Sequence, residues 1–279
     1  MGTDFNRVLD FYDKSADGEI SRSERPSSRF EMLRALSTFI KYVQPPANVL
    51  DLGAGSGRYS IALSKLGFRV TVADLSPALL AIAREKIVDS GVEDNICSYD
   101  EVNAIDLSLY SEAIFDVVLS FGPFYHLAAH QERIFAANEI KRVLRPGGII
   151  IAMFIPLLSG LNGFVRRGAE KPENFTTETL RGVYKTGTFI NANLSAKDQK
   201  IMHFMSSKEV RELFEGAGFD TLDMLSLRGY TRGNEECLLK IEESNPDLYD
   251  EYLRIIEDTC REAGSIELGG HALYIGKKN

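Results

Sequence analysis

Residues 49–60 read Val-Leu-Asp-Leu-Gly-Ala-Gly-Ser-Gly-Arg-Tyr-Ser, and this stretch decides the fold. An apolar run that contains Asp51 leads into three alternate glycines, after which apolar residues return at helical spacing. The pattern predicts a strand, a turn and a helix, because glycine is favoured where the backbone needs a positive φ or where a ligand comes close to the main chain. The free N–H groups of the helix would point at whatever lies over the turn.

The acid before the glycines restricts which ligand this turn can hold. Asp51 would repel a pyrophosphate, whereas a cationic or zwitterionic ligand would be tolerated. The dinucleotide fingerprint also requires a glycine three positions after the second one, where this chain has Arg58. An NAD or nucleotide-sugar enzyme on the same layered fold is therefore disfavoured, although it stays an alternative. A turn that binds no ligand is the other interpretation.

Composition and charge narrow the class of protein. The chain has 279 residues, of which 44% are hydrophobic and 26% charged, as in an ordinary globular protein. A formal charge of -8 argues against a nucleic-acid partner. The longest apolar stretch, residues 149–158, is too short to cross a bilayer, so we expect no membrane partner. Three scattered cysteines have neither metal-ligand spacing nor a disulfide pattern, so we expect no metal site and a cytoplasmic location.

Strand and helix patterns alternate along the first half of the chain, which requires a parallel sheet with right-handed crossovers. Strands are predicted over residues 48–51, 68–73, 96–101, 115–120, 148–154, 219–227 and 272–276. Helices are predicted over residues 4–14, 28–43, 58–66, 78–88, 131–143, 207–217 and most of 233–264. The sequence therefore predicts a doubly wound α/β fold, with a seven-stranded, mostly parallel sheet and helices on both faces.

Two segments interrupt this alternation and define the expected domains. Residues 156–204 combine glycines, aromatic residues and basic residues, and they follow the fifth strand. So long an irregular segment is usually functional or disordered, and its aromatic content argues against disorder. We expect a helical or irregular lid over the site. The alternative is that this segment forms an oligomer interface, for example that of a homodimer. The expected units are 1–29, a segment covering the site; 30–155, the core; 156–204, the lid; and 205–279, the end of the sheet with a helical insertion at 233–264.

Several polar residues follow successive strands of the predicted sheet. Asp74 ends the second strand, Asn103 follows the third and Ser120 ends the fourth. Because ligands of open parallel sheets bind at the carboxyl ends of the strands, we expect these residues to line one crevice with the glycines. Asp74 could accept hydrogen bonds from a ribose diol, or it could cap the next helix beside Ser76. Asn103 could accept a hydrogen bond from an exocyclic amine and donate another.

The motifs in order carry a resemblance to a known family. The series VLDLGAGSGRY, VTVADLSP, NAIDL, FDVVLSFGPFYHL and RVLRPGG resembles the successive motifs of class I S-adenosylmethionine (SAM)-dependent methyltransferases. The likeness covers about residues 30–155 and is greatest to the small-molecule branch near the ubiquinone/menaquinone methyltransferases. It implies a Rossmann-like fold, SAM as cofactor and methyl transfer to an O, N or C nucleophile of a small metabolite. A SAM- or nucleoside-binding protein without catalysis is the alternative from a different class.

The resemblance also implies a role for individual residues. Asp51 would face the amino group of SAM, Asp74 would bind the ribose hydroxyls and Leu75 would pack against adenine. Asn103 would meet the adenine amine, although the family commonly has aspartate at this position. The full set of expected cofactor residues is Asp51, Gly53, Ala54, Gly55, Gly57, Tyr59, Asp74, Leu75, Asn103, Ala104, Ser120 and Phe121.

Candidates for contact with the methyl acceptor follow the fourth strand and lie near the N-terminus. His126, with Tyr125, would be a base or an orienting group, since small-molecule methyltransferases place substrate-facing groups there; a structural histidine is the alternative. A base is needed only if the nucleophile must lose a proton at neutral pH. Tyr12 and Arg22 are the other candidate acceptor contacts, and Tyr12 could instead pack within the N-terminal helix. His271 opens the last strand and has no assigned role.

Overall fold

The fold is taken from a computed structural model of the chain. The described residues are Thr3, Phe5, Val8, Leu9, Tyr12, 25–190 and 201–279. Four of the five described N-terminal residues are helical, in agreement with the helix predicted over 4–14. Within the described part of the chain, no helix is long and apolar enough to cross a membrane.

The main strands lie close to the predicted positions. They are β1 Asn48–Leu52, β2 Arg69–Asp74, β3 Ile96–Glu101, β4 Phe115–Ser120, β5 Leu144–Phe154, β8 Phe219–Ser226 and β9 Ala272–Lys278. Two short strands, β6 Thr188–Ile190 and β7 Ile201–His203, form a separate antiparallel pair.

The helices of the core also follow the sequence pattern. They are α1 Pro26–Tyr42, α2 Arg58–Lys65, α3 Pro77–Asp89, α4 His130–Val143 and α7 Ser207–Gly216. The remaining helices are α5 Leu157–Glu170, α6 Thr177–Thr186, α8 Glu235–Ser244, α9 Pro246–Thr259 and α10 Ala263–Leu268. Gly67 follows α2 with a φ of +87°, which satisfies the left-handed conformation expected of a glycine that ends a helix.

The seven-stranded sheet has the order β3-β2-β1-β4-β5-β9-β8. Strands β1 to β5 pair in parallel, and β9 runs antiparallel to both of its neighbours. The prediction of a doubly wound, mostly parallel, Rossmann-like sheet is therefore confirmed. The strand order reverses between β1 and β4, and this switch point opens a crevice at the carboxyl ends of the strands.

The alternation of side chains along the central strands builds a core on each face of the sheet. Leu50 packs on one face with Val118 and Ile150, where α4 and α7 cover the sheet. Val49 packs on the other face with α1 and α2. Because both faces are covered, these strands read as continuous apolar runs, which is the pattern that predicted a parallel sheet.

The described part of residues 156–204 is largely helical, in agreement with the helical form of the expected insertion. It consists of α5, α6 and the β6–β7 pair, and it has a core of its own around Phe164 and Phe204. A Cβ on Gly160 would lie 2.5 Å from the Phe204 ring. The glycine therefore allows a close helix contact and does not mark a loop.

The apolar residues of α1 are divided between core and surface. Phe30 and Phe39 are buried, whereas Leu33 and Ile40 are 56% and 43% exposed. Glu31 is buried on the opposite side of the helix, with a relative exposure of 8%. A buried carboxylate requires charged or hydrogen-bonding partners, and these are described with the site below.

Candidate active site

The switch point of the sheet opens into a cavity of about 310 Å³. Its walls come from the ends of β1, β2 and β4, from α1, from the described N-terminal residues and from β7. The expected cofactor and acceptor residues that line it are Tyr12, Asp51, Gly53, Ala54, Gly55, Tyr59, Asp74, Leu75, Asn103, Ala104, Phe121, Tyr125 and His126. The structure thus brings together residues that are up to 114 positions apart in the chain.

The glycine turn is held by backbone hydrogen bonds to β2. The N–H groups of Gly53 and Ala54 donate to the Ala73 carbonyl at 2.8 and 3.0 Å, and the Gly55 N–H donates to the Asp74 carboxylate at 2.7 Å. Gly53 and Gly55 have φ values of +77° and +56°, in the region that L side chains rarely adopt. The turn is therefore rigid and keeps its backbone on the surface of the cavity.

The first two glycines differ in what a side chain would meet, and this gives a prediction. A Cβ at Gly53 would lie 2.7 Å from Pro123 Cδ, whereas a Cβ at Gly55 would have no neighbour within 4 Å. We expect Gly53→Ala to lower the free energy of unfolding by about 2–3 kcal/mol, from backbone strain and a clash, and Gly55→Ala by about 1 kcal/mol. Denaturant titration of both variants measures the difference, and equal losses would contradict it.

Asp51 is buried at the base of the turn, with a relative exposure of 1%. Its Oδ2 accepts a hydrogen bond of 2.6 Å from the Ser60 hydroxyl on α2. Burial raises the pKa of Asp51 to about 7; the hydrogen bond from Ser60 opposes this rise and the charge of Asp74 adds to it. A cationic group arriving in the cavity would favour the ionised carboxylate.

Asp74 ends β2 and links the turn to the next helix. Its Oδ1 accepts from the Ser76 N–H at 2.9 Å, and its Oδ2 accepts from Gly55. The Ser76 hydroxyl caps α3 by accepting from the Leu79 N–H, so the helix cap does not depend on Asp74. The carboxylate is 9% exposed and lies on the cavity wall.

The far end of the cavity is more apolar. Leu75, Leu79 and Val102 line it together with Asn103 and Ala104. The Asn103 side-chain oxygen accepts from the Ile105 N–H at 3.2 Å, so this group shapes the loop after β3 as well as the wall. These apolar side chains, with one amide among them, have the chemistry that suits a flat heterocyclic ring.

Two expected site residues, Gly57 and Ser120, are described but are not on the cavity wall. Gly57 precedes α2, where a Cβ would lie 3.0 Å from the Cβ of Ala83, so its role is helix packing. Ser120 is fully buried, and its hydroxyl has no hydrogen-bond partner among the described residues. Arg22 lies outside the described residues.

His126 is held at both ring nitrogens. Nδ1 lies 2.9 Å from the Ile201 carbonyl of β7, and Nε2 lies 2.6 Å from the Tyr12 hydroxyl. Because a carbonyl oxygen only accepts, Nδ1 donates, and Nε2 then accepts from Tyr12 in the neutral ring. The Tyr125 hydroxyl donates to the Phe121 carbonyl at 3.2 Å. His126 therefore connects the N-terminal segment, the core and the insertion.

A charged wall of the cavity is formed by Glu31 and His271, and the sequence did not predict it. His271 Nδ1 lies 2.8 Å from Glu31 Oε1, and Arg228 Nε lies 2.9 Å from the same oxygen. Glu31 stands on the buried side of α1 and His271 precedes β9, 240 positions away. The one signal in the sequence was the acid Glu31 within a largely apolar helix pattern, and this signal did not indicate that His271 would be its partner.

Comparison with known proteins identifies the type of domain. Residues 50–152 match a family model described as a methyltransferase domain. The ubiquinone/menaquinone biosynthesis C-methyltransferase of Zymomonas mobilis is 32% identical over 118 residues, covering 41% of this chain and 46% of that protein. The demethylmenaquinone methyltransferase of Thermus thermophilus is 34% identical over 125 residues, covering 44% of this chain and 54% of that protein. The chain thus spans about half the length of these curated relatives.

Solved structures extend the likeness of fold over most of the chain. A SAM-dependent methyltransferase of Methanosarcina mazei has a TM-score of 0.59 at 17% identity, covering 86% of this chain and 96% of that one. The 1,6-didemethyltoxoflavin-N1-methyltransferase of Burkholderia thailandensis, solved with S-adenosylhomocysteine, has a TM-score of 0.56 at 17% identity, covering 99% and 88%.

Residues 50–152 therefore match a methyltransferase domain, and this part of the chain is similar in sequence to the ubiquinone/menaquinone methyltransferases. The resemblance that the sequence motifs indicated is confirmed over these residues.

Proposed function

We propose that the protein transfers a methyl group from SAM to a small-molecule acceptor and releases S-adenosylhomocysteine. The observation that carries this proposal is the pair of carboxylates, Asp51 and Asp74, set on either side of the glycine turn in one cavity. Carboxylates suit an ammonium group and a ribose diol, and they do not suit a pyrophosphate. Bound SAM would supply an activated methyl group on a sulfonium.

In this proposal, different residues of the cavity bind different parts of the cofactor. Asp51 pairs with the ammonium group, Asp74 accepts from the ribose hydroxyls, and Leu75 and Asn103 hold the adenine. Gly53, Ala54 and Gly55 present backbone to the methionyl part, with Tyr59 and Phe121 packed beside them at 4.8 Å between ring centroids. Gly57 and Ser120 act only through packing, since they do not reach the cavity.

The acceptor end of the cavity is formed by the N-terminal segment and the insertion. Tyr12, Tyr125 and Met202 line it, together with His126. Methyl transfer is an in-line displacement, so the main task of the protein is to hold the nucleophile in line and exclude water. We assign His126 and Tyr12 to this orienting role, and we assign the insertion to covering the acceptor.

The cofactor part of the proposal is tested by binding and the catalytic part by product formation. Calorimetry should show binding of SAM and S-adenosylhomocysteine and none of NADH. Methyl-labelled SAM with a small-molecule library should then give a labelled product. Binding without any product would favour the alternative of a non-catalytic SAM-binding protein, and NADH binding would overturn the cofactor assignment.

The raised pKa of Asp51 predicts that cofactor affinity depends on pH. With a pKa of about 7, Asp51 is protonated in the free protein at lower pH, and pairing with an ammonium group requires loss of that proton. Affinity for S-adenosylhomocysteine should therefore fall about tenfold per pH unit below about pH 7 and level off above it. Calorimetry across this range measures the slope, and Asp51→Asn should remove it. A flat profile in the wild type would contradict the pairing.

The raised pKa of Asp51 also makes the stability of the ligand-free protein depend on pH, in the direction opposite to that of cofactor affinity. The pKa of Asp51 is raised above its ordinary value of 3.8, so the folded state holds the proton more tightly than the unfolded state. Stability of the ligand-free protein therefore falls as pH rises from about 4 to about 7 through this group, and bound cofactor offsets the loss. Thermal unfolding with and without S-adenosylhomocysteine provides the comparison.

A further inference from the structure

A carboxylate–histidine pair lies on the wall of the cavity that also contains His126. Glu31 comes from α1 and His271 from the residue before β9, and both line the cavity. Their contact joins Glu31 Oε1 to His271 Nδ1 at 2.8 Å. The side chain of Glu31 is 10% exposed and that of His271 is 28% exposed, so the pair is mostly shielded from solvent while the ring keeps one open edge.

Arg228 holds Glu31 in place and is itself held by a second acid, Glu235. Arg228 follows β8 and places Nε 2.9 Å from Glu31 Oε1, while its Nη1 lies 3.0 Å from Glu235 at the start of α8. Gly270 gives Arg228 the room it needs, because a Cβ there would lie 2.5 Å from the guanidinium. The cluster is ion-paired on several sides, which fixes the carboxylate rather than adding much stability.

The proton positions of the pair follow from these contacts. Burial alone would raise the pKa of Glu31, but the charge and hydrogen bond of His271, together with Arg228 and Arg58, lower it to about 2. Glu31 is therefore an ionised acceptor, and His271 Nδ1 is the donor. In the neutral ring Nε2 is then a lone-pair acceptor, and it has no hydrogen-bond partner among the described residues.

His126, the other histidine that lines the cavity, has no such available ring nitrogen. Both ring nitrogens of His126 are engaged, Nδ1 by the Ile201 carbonyl and Nε2 by the Tyr12 hydroxyl. A proton acceptor must have an available lone pair within reach of the reacting group. Of the two histidines that line the cavity, His271 can accept a proton on its Nε2 lone pair without breaking a contact to a described residue, whereas His126 cannot.

We propose that His271, oriented by Glu31, is the general base of the methyl transfer, a role that rests on the function proposed above. The attacking atom of the acceptor forms its bond to the methyl carbon as the carbon–sulfur bond breaks and its electron pair stays on sulfur. The proton of the attacking atom passes to His271 Nε2, and the carboxylate of Glu31 stabilises the imidazolium that forms.

This role defines a class of acceptor. The attacking atom must carry a proton, as a hydroxyl or N–H group does, and a tertiary amine would have no use for the base. An anionic acceptor is disfavoured, because Asp51, Asp74 and Glu31 face the cavity and its one described cationic side chain, Arg58, is bound to the Ser28 carbonyl at 2.6 Å. The structure therefore favours a neutral acceptor with an O–H or N–H nucleophile.

The proton positions can be tested without knowing the acceptor. The chain has four histidines, so ring ¹⁵N signals of the protein, recorded with and without S-adenosylhomocysteine, can be assigned with His271→Gln and His130→Gln. We expect the neutral ring of His271 to carry its proton on Nδ1, because Nδ1 faces the Glu31 carboxylate at 2.8 Å. In Glu31→Gln this tautomer should be less strongly favoured, because a neutral amide replaces the carboxylate that accepts the proton. A neutral ring protonated on Nε2 would overturn the proposal.

Kinetics test the role in catalysis. With methyl-labelled SAM, the probes are 2-naphthol, 1-naphthylamine and N,N-dimethyl-1-naphthylamine, three acceptors of similar size that differ in their protons. We expect turnover of at least one of the first two and none of the third. His271→Gln should lower kcat about 10²–10⁴-fold with the KM for SAM unchanged, and it should remove the acid limb of the kcat profile. His130→Gln, an exposed histidine on α4, is the matched control.

The role of Glu31 is separated from simple packing by the ring ¹⁵N spectra. Glu31→Gln should lower kcat and weaken the preference of His271 for the Nδ1–H tautomer, whereas a loss of packing alone would leave the tautomer unchanged. Wild-type kcat in His271→Gln, or turnover confined to the tertiary amine, would overturn the proposal. If no probe is methylated, the ¹⁵N spectra alone decide it. Absence of SAM binding in the wild type would instead refute the proposed function and leave the spectra of the pair unaffected.

Discussion

Replacing Asp74 with alanine should weaken binding of S-adenosylhomocysteine at least a hundredfold. The carboxylate has two oxygens at the cavity wall for the two ribose hydroxyls, and hydrogen bonds to a charged group contribute about 1.5–3 kcal/mol each. Two such bonds amount to about 3 kcal/mol or more, which is more than a factor of 100 in the dissociation constant.

The structure adds a second reason for a large effect of Asp74→Ala. Asp74 also accepts from the N–H groups of Gly55 and Ser76, so its removal releases the glycine turn as well as the ribose. Asp74→Asn has nearly the same shape and separates the two contributions. It retains one acceptor oxygen and should lose less affinity than the alanine variant, with the cap of α3 by Ser76 preserved in both.

Isothermal calorimetry of both variants measures this effect. The matched control is Asp116→Asn, an acid inside β4 that accepts from the Asn48 N–H at 2.8 Å and lies outside the cavity. Its affinity should equal that of the wild type. Wild-type affinity in Asp74→Ala would show that the ribose does not bind here, and equal losses in Asp116→Asn would mean that the effect comes from general destabilisation.

Asp74 also shows why much of the site was predictable from the sequence. The glycine turn, the acid that ends β2 and the residues after β3 and β4 are each set by local patterns. Parallel pairing then brings the carboxyl ends of neighbouring strands together, as the registers Leu52↔Ala73 and Leu52↔Ser120 record. Local sequence and one topological rule were enough to place these residues near one another.

Residues that depend on packing direction were harder to predict. Ser120 follows the strand pattern, but its side chain is fully buried. Gly57 is the third glycine of the motif, yet it faces Ala83 on α3 and not the cavity. A one-dimensional motif does not show to which side each residue of a turn is directed, so both were assigned to the cofactor.

The charged wall of the cavity could not be predicted from local sequence patterns. Glu31, Arg228 and His271 stand on three elements that are far apart in the chain, and none of them belongs to a motif. Their meeting depends on the antiparallel β9 and on the packing of α1 across the switch point. Such contacts are set by tertiary structure, for which the periodicity of a single helix or strand carries no information.

The second large effect is expected at His126, where His126→Ala should lower kcat about a hundredfold and leave SAM affinity nearly unchanged. The imidazole joins the Tyr12 hydroxyl on one side to the Ile201 carbonyl on the other. Without the imidazole, the N-terminal segment and the insertion each lose one hydrogen bond that holds them at the acceptor end. Misplacement of a bound reactant by about 1 Å can cost a factor of 10² in rate, so loss of orientation alone accounts for this magnitude.

A double-mutant cycle shows whether His126 acts through Tyr12. Tyr12→Phe removes the hydroxyl and should reproduce a large part of the loss, and the double variant should be little worse than His126→Ala because the two residues form one unit. Single-turnover rates with labelled SAM provide the measurement, with His130→Ala as the control histidine. Fully additive losses would mean that the two side chains act independently.

The pH profile and hydrogen exchange separate this orienting role from that of a base. If His271 takes the proton, His126→Ala keeps the acid limb of the kcat profile, whereas loss of that limb would identify His126 as the base.

Hydrogen exchange tests the role of the insertion as a lid. Addition of S-adenosylhomocysteine should raise the protection of residues 201–203 against exchange in the wild type and not in His126→Ala. Equal protection with and without ligand would show that β7 belongs to the permanent core, and the role of the insertion as a lid would then be wrong.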